Sequence, residues 1–370
     1  MKSKLLIAGA VVLALAAASP AVASAQPFTG TAFTETNAAS GNSVLVYARD
    51  ALGHLHHVGT APTGGAGTDA NLGSQGAVAL GSQGRRLYAV NAGSNTVSVF
   101  GVLGAHVWRE AVVPSGGTQP ISVAVGQGTV YVLNAGGAPN VAAFRITRRG
   151  LHPLANGVQS LGATDAGPAE VATDPLAGIV VVTNKTSNTI DTFLTRPSGR
   201  LAPADSQPST GATPFGFAFT PLGTLVVSDA GEAPTSAATA YRVSAAGALS
   251  VTSAPLQTNQ MAACWVATTP DGRFAYVSDA HSGTISGMRV TVGGKLSLLD
   301  PSGISATGGA GSTTLDESVT PGGRFLSVVV DNATPGVNGI ATFAIGPGGS
   351  LHAAGFTPGL AASDVGLVTG

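Results

Sequence analysis

Apolar residues in this chain gather into short runs rich in Val, Ile, Leu and Phe, such as Leu87–Val90, Ile121–Val125, Val130–Leu133, Ile179–Val182 and Phe215–Phe219. Glycine, proline, asparagine and aspartate punctuate them. The runs are too short for helices and lack a 3.6-residue period, so they predict strands. The turns between them are specific. Pro270-Asp271-Gly272-Arg273 and Pro321-Gly322-Gly323-Arg324 follow an apolar strand and precede a β-branched one, as expected of tight turns that use proline and glycine for their special backbone angles.

The pattern repeats. Val90–Phe100 (VNAGSNTVSVF) and Thr183–Phe193 (TNKTSNTIDTF) are near copies, and weaker copies occupy Thr36–Tyr47, Leu133–Phe144, Ser228–Tyr241, Ser278–Met288 and Val330–Phe343. The Asn or Asp opening each loop falls at Asn37, Asn91, Asn134, Asn184, Asp229, Asp279 and Asp331, at intervals of 43 to 54 residues. Each repeat holds four strands, the third ending in a large side chain. The fourth is announced by a glycine two residues before a leucine, as at Gly53–Leu55, Gly199–Leu201, Gly247–Leu249, Gly294–Leu296 and Gly349–Leu351. This period predicts an all-β, seven-bladed β-propeller of four-stranded antiparallel blades. The first repeat lacks an innermost strand before Thr31. The C-terminal segment Leu360–Val368 has the length to supply it, with Ala361–Val368 pairing to the first repeat and closing the ring.

Composition bounds the setting. Lys2 and Lys4, the apolar run Leu5–Ala18 and the small residues Ala23-Ser24-Ala25 form a signal for export, with cleavage expected after Ala25. Residues 26–370 then make one propeller domain, secreted or held in the periplasm or cell envelope, with no membrane anchor after cleavage. Charged residues are only 9% of the chain and the formal net charge is −1. No basic run offers a surface for phosphates, so nucleic acid is not an expected partner. A monomer is expected. Cys264 is the single cysteine, so no intrachain disulfide is available and the core must hold the fold.

With these repeats, the Leu87-Tyr88-Ala89-Val90-Asn91 segment and the Pro270–Arg273 turn, the chain resembles the lactonase-family seven-bladed propellers, a group with 6-phosphogluconolactonase-like and carboxymuconate-cyclase-like members and repeats of the YVTN type. The resemblance implies a pocket at the starts of the innermost strands, where the family often carries Gly-Pro-x-His. Here that pattern reads Gly167-Pro168-Ala169-Glu170, with glutamate in the histidine's place. The same slot in other repeats holds Ala77, Ser122, Gly216, Trp265 and Asp316. The column contains no histidine or arginine.

Glu170 and Asp316 are therefore the candidate catalytic residues. A carboxylate among Phe215, Cys264 and Trp265 would be partly desolvated and pushed toward the range of a general base that activates water against a cyclic ester. Ser122, Phe215 and Trp265 are the candidate substrate contacts, at a mouth formed by the blade-to-blade crossings. Alternatively each carboxylate caps backbone amides or binds tunnel water. The histidines offer no metal focus, since His56, His152 and His352 follow the fourth-strand leucine of different blades. Cys264 has no histidine in its column, and the Thr63–Gly67 and Thr307–Gly311 loops open no helix, so they read as crossings rather than phosphate cradles. Two functions fit: a secreted hydrolase of a lactone or related cyclic ester, needing no metal or cofactor, or a non-catalytic propeller holding a small sugar-like ligand or a protein.

Overall fold

The protein, seen in a computed structural model, is described over residues 28–370 except residues 82, 149, 177, 233–234 and 333–336. The export signal read at residues 1–25 lies outside the described residues. Strands at the middle of each repeat are apolar on both faces because each blade is packed between two others. Val180–Asn184 and Thr224–Asp229, for example, are buried at every position. The outermost strands are covered on one face only, so Leu55–Pro62 and His106–Pro114 alternate with exposed residues.

Seven antiparallel sheets result, ordered from tunnel to rim along the sequence. Blades 2 to 7 begin with the innermost strands Val78–Leu80, Thr118–Val125, Pro168–Thr173, Pro214–Phe219, Ala263–Thr268 and Ser312–Val319. In blade 6 the outer edge is split between Leu296–Leu298 and Ala306–Thr307. Side chains ending the third strands, among them Tyr47, Phe100, Phe144, Phe193, Tyr241 and Met288, are buried between neighbouring blades, each worth roughly 2 kcal/mol of apolar burial.

Blade 1 takes its innermost strand from the far end of the chain. Val365–Thr369 pairs antiparallel with Gly30–Glu35, matching Phe33 with Val368 and Glu35 with Val365. Across the seam, the Thr369 N–H donates to Ser318 Oγ of blade 7 (3.1 Å) and its hydroxyl to the Val319 carbonyl (3.0 Å). The closing strand is shorter than the segment expected from the sequence, because Ala361–Asp364 forms a turn in which Asp364 Oδ2 accepts from the Ala361 N–H (3.1 Å).

The Asn and Asp column that marked the repeats is architectural. Asn91 Nδ2 donates to Ser98 Oγ (2.8 Å), Asp229 Oδ2 accepts from the Thr239 hydroxyl (2.6 Å), and Asp279 Oδ2 accepts from Ser286 Oγ (2.7 Å). Each ties the second strand of its blade to the third. The glycines before the fourth-strand leucines are there for backbone reasons, with φ of 99° at Gly53, 90° at Gly247 and 87° at Gly349, angles that side chains resist.

Crossings between blades differ in length, and the difference shapes the site. The passage from blade 2 to blade 3 takes only residues 115–117, whereas that from blade 1 to blade 2 spans residues 63–77. The extra chain folds into the central tunnel.

Candidate active site in the central tunnel

The innermost strands are irregular where the site column begins. Register shifts fall between Pro120 and Ser122, Pro168 and Glu170, Pro214 and Phe217, Ala263 and Trp265, and Thr314 and Glu317. A bulge re-aims a side chain that strict alternation would fix to one face, and here successive blades turn theirs toward the axis.

Glu170 and Asp316 line one cavity of about 290 Å³, together with Gln75, Glu317 and the aliphatic Val171 and Leu367. The lining continues along the innermost strands to Leu80, Val125 and Thr173, the ends that carry the Pro-Asp-Gly-Arg type turns. The carboxyls therefore sit at the deep end of a cavity directed toward the turn face, not toward the crossing-loop face that the sequence suggested as the mouth.

What closes the crossing-loop side is the long segment before blade 2. Gln75 spans the tunnel: its Nε2 lies 3.2 Å from Glu170 Oε1, 3.2 Å from the Phe217 carbonyl and 3.0 Å from the Val266 carbonyl, while its Oε1 accepts from the Val266 N–H (2.8 Å). The Gln75 N–H donates to the Ala169 carbonyl (3.1 Å). Three blades are thus bridged by one side chain. The neighbouring residues are clamped too, for Ser74 Oγ donates to the Ile121 carbonyl (2.9 Å), and the Lys185 ammonium donates to the Gly73 carbonyl.

Ser122, Phe215 and Trp265 belong to this cover rather than to the cavity wall. Trp265 Nε1 donates to the Ser74 carbonyl (3.0 Å), and its ring meets Phe215 edge-on at 5.1 Å between centroids. Lys185 Nζ lies 4.9 Å over the other ring, Phe215. Ser122 Oγ, fully buried, accepts from the Val171 N–H (3.2 Å). Cys264 is buried, and burial pushes its thiol up to about 12, far from the thiolate that nucleophilic chemistry needs.

The carboxyls are held with few compensating charges. Burial pushes Glu170 well above the usual carboxylate range, the Phe217 N–H on Oε2 (2.6 Å) pulls the other way, and the charge of Asp316 adds to the rise. Burial likewise raises Asp316 to about 7, against hydrogen bonds from the backbone N–H groups of Gly366, its own residue and Gly76. Two further acids complete the group. Glu317 accepts from Ser278 Oγ (3.0 Å) and Glu35 from Asn42 Nδ2 (3.1 Å); both are raised by burial, and each has one buried oxygen without a partner. Groups that repel one another and sit out of water share protons rather than ionise together.

Gln75, Glu317 and Glu35 were not singled out from the sequence. The 54-residue interval between Asn37 and Asn91, the longest of the six between these markers, was the available sign of the inserted segment. Among the described residues, no group of three or more His, Cys, Asp or Glu side chains is placed to hold a metal ion. The Arg273 guanidinium lies on the turn face, 3.7 Å from its neighbour Asp271, and both are half-exposed.

No family model matches the chain, and no curated protein matches it in sequence. The likeness is in the fold. A candidate 6-phosphogluconolactonase from Bacteroides fragilis aligns with a TM-score of 0.71 at 16% identity, over 95% of this chain and 99% of that one. A second from Bacteroides uniformis gives 0.68 at 16% identity, over 92% and 99%. The periplasmic gluconolactonase of Pseudomonas aeruginosa gives 0.55 at 16% identity, over 89% and 82%. The chain is thus a seven-bladed β-propeller, the fold it shares with these proteins. At such identities this defines its architecture, and the chemistry rests on the tunnel residues themselves.

Proposed function

We propose that the tunnel cavity hydrolyses a lactone or related cyclic ester. The observation that carries this reading is the pairing of Glu170 and Asp316 in one small cavity with their carboxyls raised, Asp316 to about 7. A general base works best when its pKa lies near the working pH. Asp316, partly ionised at neutral pH, is suited to take a proton from water as the water oxygen bonds to the lactone carbonyl carbon. Glu170, raised by burial, is suited to give a proton to the ring oxygen as the ring C–O bond breaks, yielding the open hydroxy acid. The sequence reading of Glu170 as the base and Asp316 as its partner is exchanged here because burial raises Asp316 to about 7, in the range of a base at neutral pH. The cavity volume sits at the low end of ligand sites, which run from roughly 300 to 1,000 Å³, and fits one small ring.

The second reading, a non-catalytic propeller that binds a small ligand, has its own support. Both oxygens of Glu170 already accept hydrogen bonds from the protein, and the side chain is almost fully buried. Among the described residues no helix is long and apolar enough to cross a membrane. With the export signal read at the N-terminus, we place the protein outside the cytoplasm, as the name of the Pseudomonas aeruginosa neighbour places that protein. A panel of lactones assayed on the protein from residue 26 onward separates the two readings: ring opening supports the hydrolase, and ligand retention without turnover supports the binder.

A further inference from the structure

Building on the hydrolytic reading, we propose that the cavity selects lactones bearing no phosphate or carboxylate group. Three acidic residues line it, Glu170, Asp316 and Glu317, and Glu35 stands close enough to Asp316 to feel its charge. Among the described residues no lysine, arginine or histidine lines it. Two nearby cations are engaged elsewhere. Lys185 lies on the cover, bound to the Gly73 carbonyl. Arg86 sits in a separate groove between blades 2 and 3, paired with Glu110 at 3.1 Å.

A phosphate monoester carries about −1.5 to −2 charges at neutral pH and is recognised by Arg or Lys, or by a helix N-terminus. The cavity offers neither, and the described residues contain only the short helical turn Ala280–Ser282. An anionic substituent would be confined with carboxyls in a space of about 290 Å³. It would also hold Asp316 protonated, removing the base. A neutral ligand meets no such penalty. The innermost strands are sheet edges, so their tunnel-facing backbone groups have no ladder partner on that side and can serve hydroxyls. The amide of Gln75 already uses the Phe217 and Val266 backbone in this way.

The test measures binding separately from turnover. A stable δ-lactam and its phosphate ester are titrated calorimetrically into the protein, and the corresponding lactones are assayed for ring opening. The neutral lactam is expected to bind at least 100-fold more tightly than its phosphate ester. Thr173→Lys, which sets a cation at the cavity wall, is expected to narrow that gap at least tenfold. Equal or tighter binding of the phosphate ester, or no binding of either, overturns the selectivity. Selective binding of the neutral lactam with no ring opening of either lactone upholds the selectivity and overturns the hydrolytic reading beneath it.

Discussion

Gln75 and Glu170 lie 95 residues apart and meet across the central tunnel, where Gln75 Nε2 donates to Glu170 Oε1 at 3.2 Å. The contact joins the crossing between blades 1 and 2 to the start of blade 4, so the inserted segment and the candidate acid form one network. Gln75→Ala should leave the Val266 N–H and the Val266 and Phe217 carbonyls without their partner. An unsatisfied buried polar group costs about 1–3 kcal/mol, so a loss of roughly 2–4 kcal/mol in urea unfolding is expected. A variant as stable as the parent would show that the bridge contributes nothing to the fold.

Trp265 should act through the cover. Trp265→Phe keeps most of the packing on Phe215 but loses the hydrogen bond to Ser74, and should cost about 1 kcal/mol. Trp265→Ala also leaves a large void and should cost roughly 3–5 kcal/mol. Equal losses for the two variants, read from denaturant midpoints, would contradict the tether.

The repeats, the blade count and the C-terminal closure were legible in the sequence because they depend on local rules. Glycines such as Gly247 mark positive-φ turns, and runs such as Val180–Val182 can only be strands buried on both faces. The site was half legible. Glu170 stood out through its Gly-Pro context, but Glu317 did not, because the register shift between Thr314 and Glu317 breaks the alternation that would have sent one of two adjacent acids away from the tunnel. Gln75 sits in a loop with no periodic signal, and only the structure shows where that loop goes.

Closure predicts the effect of truncation. Removing residues 360–370 deletes buried Leu360, Val365 and Leu367 from the core and exposes the edge of the Gly30–Glu35 strand. With roughly 1.5–3 kcal/mol for each side chain, the melting temperature should fall by about 10 °C or more, or the transition should lose cooperativity. A truncated protein that melts with the parent would defeat the ring-closure account.

The buried acids give stability an unusual pH dependence. Burial raises Asp316, Asp279 and Asp229 to about 7 and Asp364 to about 6, against about 4 in an unfolded chain. Between those values the folded state binds more protons than the unfolded state, so the stability these groups contribute is greatest near pH 4 and is lost as pH rises toward 7. The urea midpoint should be higher at pH 5 than at pH 8, and Asp316→Asn should reduce the difference. A midpoint that rises between pH 5 and pH 8 would contradict the assignment.

The most direct measurement is the rate of lactone ring opening by Asp316→Asn and Glu170→Gln beside the parent and Arg273→Ala. General acid–base groups contribute about 10²- to 10⁴-fold. Each tunnel variant should therefore lose at least about 100-fold in kcat/KM while remaining folded by circular dichroism, and Arg273→Ala should keep the parent's rate. Full activity in Asp316→Asn would contradict the account.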